Sequence, residues 1–154
     1  MRRLVAALVA LLALTGSTLV SAQERRDPPP PMTMEMLQAE FVGRSDSDMV
    51  YFTGSSHGLD EAAQRTPIAQ ARWLLANPAV RARIEGHADE RSPRDYALAV
   101  AERRATAVRN FLVLQGVPAA QLTIISWGKD RPVVAGSSEG ALALNRRVKT
   151  VLMR

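Results

Sequence analysis

Few side chains in this sequence have the type and spacing for chemistry. His57 lies in Gly54-Ser55-Ser56-His57-Gly58, where a hydroxyl beside an imidazole invites a search for a nucleophile. The segment lacks the G-x-S-x-G elbow that presents a catalytic serine, so it reads as a loop. It is also too short and unpatterned to cradle a phosphate. The second histidine, His87, follows Gly86, and two histidines without a cysteine make no structural zinc set. No catalytic residue, metal or cofactor is expected. A carboxylate and a guanidinium form the remaining pair of interest. Asp89 lies in Gly86-His87-Ala88-Asp89-Glu90-Arg91, and Arg104 follows fifteen residues later. On residue physics alone, Asp89 is a loop carboxylate accepting backbone N–H bonds and Arg104 is a solvated helix charge.

The elements that would position this pair can be read from periodicity. Met49 to Phe52 forms a first strand between a Ser/Asp cluster and Thr53-Gly54-Ser55-Ser56. A helix follows, with Thr66-Pro67 as N-cap and first turn, an earlier turn over 60–65, and a stop at Asn77-Pro78. Residues 81–85 alternate as a strand with one wet face, and 86–94 form a loop. Leu98, Ala101, Ala105, Val108, Phe111 and Leu112 recur at helical spacing, which predicts a long helix over about 95–115 closed by Gly116. A third strand covers 122–127, a Pro- and Gly-containing loop covers 128–141, and a last strand covers 147–152. The order is strand, helix, strand, helix, strand, strand. Helical crossovers bring strands parallel. The expected fold is therefore α+β, a two-layer sandwich with helices packed on a mixed four-stranded sheet.

The N-terminus has a separate character. Arg2 and Arg3 precede an apolar run from Leu4 to Leu14, and Val20-Ser21-Ala22 supplies small residues, the layout of a signal peptide over 1–22. Cleavage after Ala22 would take the net charge from +5 to +3, because two arginines and no acid are lost. Membrane contact is expected only if this segment is retained as an anchor. Residues 23–44 form a tether with Pro28-Pro29-Pro30-Pro31 and a short helix suggested by Met34, Met36, Leu37 and Phe41. The domain proper is placed at 45–154. An exported protein seldom meets DNA, so the basic balance is read as solvated charge and no nucleic-acid partner is expected. No cysteine is present, which excludes disulfides and any lipid on a cysteine of this sequence.

Four blocks carry a resemblance. They are Ile84 to Arg91 followed by Tyr96, Glu102 to Val108, Ser126 to Pro132, and Asn145 to Val148. In this order and spacing they resemble the OmpA-like C-terminal peptidoglycan-binding domain family, with the peptidoglycan-associated lipoproteins as its nearest group. The resemblance spans about 49–153. It implies a non-enzymatic protein of the periplasm and cell envelope, with outer-membrane association, that holds the diaminopimelate of peptidoglycan stem peptides without a covalent bond. It implies Asp89 and Arg104 as the ligand contacts, with Thr53, Gly54, Ala88, Val100, Asn145 and Arg146 as lesser members of the site. Peptidoglycan is the implied partner, with envelope proteins such as Tol-system components beside it. The sequence departs from the family at the first loop, where Thr53-Gly54-Ser55 replaces an F-D-F-D pattern, and at Ser92, Ala97 and Val100. The loop change supports a second reading, a periplasmic interaction scaffold that keeps the fold with weak or no wall binding.

Overall fold

The computed structural model describes residues 30–154. The signal peptide over 1–22, cleavage after Ala22 and most of the proline-rich tether lie outside the described residues. Among the described residues no helix is long and apolar enough to cross a membrane.

The first element is helix α1 (Met34–Ser45), capped by the Thr33 hydroxyl, which accepts from the Met36 N–H at 3.2 Å. It ends at Asp46, a left-handed residue, and not at Gly43. Strand β1 (Met49–Tyr51) follows, then α2 (Glu61–Ala76), β2 (Arg81–His87), α3 (Arg94–Leu114), a single 3-10 turn (Ala119–Gln121), β3 (Leu122–Gly128), α4 (Glu139–Asn145) and β4 (Arg147–Met153). The strand order is β1-β4-β2-β3. β2 and β3 run parallel across the α3 crossover, while β4 is antiparallel to both β1 and β2. The mixed four-stranded sheet expected from the sequence is present.

Three differences from the expected elements have local causes. The earlier turn expected over 60–65 is present and continuous with α2, but the cap is Asp60 and not Thr66, because the Asp60 carboxylate accepts from the Ala63 N–H at 2.8 Å. Pro67 is then carried inside the helix, where its buried ring packs toward the core. β2 runs on through His87, two residues into the expected loop. α4 was not anticipated. It is two turns long, starts at the Ser138 cap inside a Gly/Ser-rich stretch, and has too few residues to display a period.

The core lies between the sheet and α1, α2 and α3. Val148 and Leu152 of β4, Ile84 and Ala82 of β2 and Leu122 of β3 face Leu74 of α2 and Ala105, Val108 and Leu112 of α3. The opposite face carries the alternate residues, including the Arg83–Glu85 ion pair at 2.6 Å. α3 ends as anticipated. Gly116 takes φ +102, its N–H reaches the Val113 carbonyl at 2.9 Å, and the Val117 N–H reaches Leu112 at 3.1 Å.

The helix at the N-terminal end of the described chain belongs to the domain. The compact unit runs from Met32 to Arg154, not from residue 45. β1 pairs with β4 as far as Lys149 and the Thr150 N–H still reaches the Asp48 carbonyl at 2.8 Å, which leaves the outer edge of β4 open from the Thr150 carbonyl onward. The Gln38 amide of α1 fills that gap, donating to the Thr150 carbonyl at 3.1 Å and accepting from the Leu152 N–H at 2.9 Å. Phe41, fully buried, meets the Trp73 ring edge-on at 5.2 Å between centroids.

Candidate ligand-binding site

The site forms where the C-terminal end of β2 meets the first turns of α3 and the loop after β1. Gly86 makes this junction possible. A Cβ there would sit 1.9 Å from the Ala101 carbonyl oxygen, so only glycine lets α3 lie this close to the strand. Ala97, Ala101 and Ala105, all fully buried, form the contacting row at four-residue spacing. Arg104 lies on the same helix beside that row, and its side chain is directed toward the end of β2.

Arg104 is among the most deeply buried large side chains, at 1% exposure. Its Nε donates to the Ser56 carbonyl at 2.8 Å, its Nη2 to Gly54 at 2.7 Å and its Nη1 to His87 at 3.1 Å. The guanidinium lies 5.3 Å from the Phe52 ring centroid. Burial lowers its pKa to about 10, with Asp89 raising it and Arg146 lowering it, so it is charged at neutral pH. The solvated helix charge read from residue physics is thus overturned: Arg104 is the post that holds the Gly54–Ser56 loop in place. All three guanidinium nitrogens donate to main-chain carbonyls, which leaves two of the five N–H donors, one on each Nη, uncommitted.

Asp89 follows two residues after the last residue of β2 and is also buried. Its Oδ1 accepts from the Arg91 backbone N–H at 3.2 Å. Its Oδ2 accepts from Arg91 Nη2 at 2.8 Å and from Arg146 Nη1 at 3.2 Å. Burial alone would raise the carboxyl pKa. The bonds from Arg91 and Arg146 outweigh it and hold the carboxyl below the ordinary range. A cavity of about 170 Å³ opens beside both charges and is lined by Asp89, Arg104, Gly54, Ala88 and Val100 among the residues expected from the sequence. Ser55, Arg91, Ser92, Tyr96 and Ala97 complete the wall.

The other expected positions do different work. Arg146, at the C-cap of α4, stands behind Asp89, with its Nε on the Phe52 carbonyl at 3.2 Å and its Nη2 on Glu139 at 2.7 Å. Asn145 does not reach the cavity. Its side chain accepts from the Val133 N–H and donates to the Val134 carbonyl, both at 2.8 Å, and so ties down the loop before α4. Thr53 lines a separate apolar groove with Tyr51, Phe52 and Leu144. Arg91 and Tyr96 were missed as site members because both lie in motif blocks already accounted for and carry no spacing signal of their own. Among the described residues no group of three His, Cys, Asp or Glu side chains is placed to hold a metal.

Residues 51–146, more than half of the sequence, match the family model described as the OmpA family. The chain belongs to the OmpA family. A peptidoglycan-associated lipoprotein of Agrobacterium fabrum is 44% identical over 105 residues, covering 68% of this chain and 59% of its own. Its counterpart in Pseudomonas aeruginosa is 46% identical over 99 residues, covering 64% and 58%. The chain thus spans about three fifths of the curated relatives it matches. The crystal structure of the peptidoglycan-associated lipoprotein from Burkholderia pseudomallei superposes with a TM-score of 0.69 at 34% identity, covering 73% of this chain and 99% of that one. The C-terminal domain of Helicobacter pylori MotB gives 0.64 at 21% identity and shares the fold.

Proposed function

We propose that this OmpA-family chain is a structural protein of the cell envelope, not an enzyme, that binds uncrosslinked peptidoglycan stem peptides non-covalently. The observation that carries the reading is the cavity in which Asp89 and Arg104, opposite charges from neighbouring elements, share one wall. A diaminopimelate end offers an ammonium beside a carboxylate. The Asp89 carboxylate matches the first, and the uncommitted N–H donors of Arg104 match the second. An isolated exposed pair contributes only about 0–1 kcal/mol, so burial of both groups and the fit of the cavity must supply the rest. Many equivalent stem peptides in the sacculus would compensate for modest affinity at each. The names of the relatives support the same partner. Tol-system components are a proposed second class of partner, to be tested by copurification from envelopes.

Sedimentation of the purified protein with sacculi is the direct test. The protein is expected to pellet with sacculi and to release no muropeptides from them. Failure to pellet at moderate salt would favour the second reading, an interaction scaffold with this fold. That reading is supported by the first loop, where Thr53-Gly54-Ser55 brings no carboxylate to the cavity.

A further inference from the structure

We propose that Arg91 is a built-in competitor for the cation half of the site, an internal stand-in for the ligand's ammonium that must leave before the ligand can bind. The inference rests on the stem-peptide reading of the cavity and deepens it. Asp89 holds two guanidinium groups of very different standing. Arg146 is fixed: its side chain is 6% exposed and is bonded to the Phe52 carbonyl, to Asp89 and to Glu139. Arg91 is loose: its side chain is 52% exposed and reaches Asp89 from the solvent side of the cavity, which it also lines.

With Arg91 in place most of the carboxylate's accepting capacity is taken, three of about four lone-pair sites. Oδ2 accepts from both guanidinium groups and Oδ1 from the Arg91 backbone N–H. Arg91 and Asp89 both line the cavity, so an ammonium entering it competes for the carboxylate with Arg91 Nη2, 2.8 Å from Oδ2. Removing Arg146 would strand buried groups, whereas removing the Arg91 side chain costs a half-exposed ion pair with Asp89 and a looser one with Glu139. A second anion waits for the displaced group, since Arg91 Nη1 already lies 3.8 Å from Glu139 Oε2 on an acid that is 71% exposed. Ligand binding is thus an exchange of one cation for another on Asp89, with Arg91 passing over to Glu139.

The test compares the full chain with its Arg91→Ala variant in two measurements. The first is the Asp89 carboxyl pKa, followed by carbon NMR without ligand. It should rise in the variant, and an unchanged value would mean that Arg91 does not sit on Asp89 in solution, which overturns the proposal whatever the ligand does. The second is calorimetric titration with the soluble tripeptide L-Ala-γ-D-Glu-meso-diaminopimelate. The variant should bind about two- to five-fold more tightly, the range that an exposed ion pair converts to. Equal or weaker binding by the variant would make Arg91 a bystander or a ligand contact and also overturn it. Binding by neither protein, with the Asp89 pKa shifted, overturns the stem-peptide reading and the competitor role with it.

Discussion

At the scale of the residue, Asp89 and Arg104 differ in what their removal would test. Arg104→Ala would leave the carbonyls of Gly54, Ser56 and His87 without their donor. The His87 carbonyl is the buried one of the three and costs about 1–3 kcal/mol when orphaned, so this variant should lose on the order of 1–3 kcal/mol of stability, read as a lowered urea midpoint. Its loss of binding would then mix unfolding with recognition. Asp89→Ala separates them better, because Arg146 keeps Phe52 and Glu139 and Arg91 faces solvent. Sacculus binding by Asp89→Ala should fall about tenfold or more, from the 1.5–3 kcal/mol typical of a hydrogen bond to a charged group. Diffuse attraction of a basic protein to an anionic wall makes the opposite forecast, since removing an acid would then help. Arg109→Ala, on α3 and away from the cavity, should bind as the parent does in the same assay.

At the scale of the element, the position of α3 depends on one atom that is missing. Gly86→Ala would drive a methyl group into the Ala101 carbonyl, and neither the strand nor the helix backbone can yield cheaply. A destabilisation of about 3 kcal/mol or more is expected, with the cavity distorted even where the protein stays folded. α1 offers the complementary test. Its Phe41 is fully buried against Trp73, so Phe41→Ala should cost about 3–5 kcal/mol in chemical denaturation. A residue on a mere tether would cost nothing there.

At the scale of the whole molecule, acid should weaken the fold in two windows. His87 is buried, and burial first, then the charges of Arg147, Lys149 and Arg131, lower its pKa from 6.5 to about 4. Between those values the unfolded chain takes up a proton that the folded chain refuses. The contribution is therefore complete above pH 6.5 and is lost as pH falls toward 4, amounting to about 3 kcal/mol at 1.36 kcal/mol per pH unit. Asp89 acts lower. Its carboxyl is held below the ordinary 3.8, so its contribution is present above that value and disappears as pH falls through the folded pKa. Stability measured from pH 7 to pH 3 should decline in both windows, and His87→Gln should flatten the upper one alone.

Features legible in the amino-acid order are local or periodic. The apolar stripe of α3, about six turns long, its Gly116 stop, the alternation of β2 and the motif blocks that carry Asp89 and Arg104 all repeat or pair within short stretches, where side-chain spacing reports directly on backbone form. The family followed from those blocks. The tertiary structure decided what depends on distant partners. Gln38 can be assigned to the domain only once β1 is seen to stop short of the β4 edge it covers. Arg104 reads as a surface charge until carbonyls from residues 54, 56 and 87 are brought around it. Arg91 and Arg146 converge on Asp89 from sequence separations of two and 57 residues. A side chain's charge is written in the sequence, but its partners, and hence its work, are set by the contacts that chain folding brings within hydrogen-bonding distance.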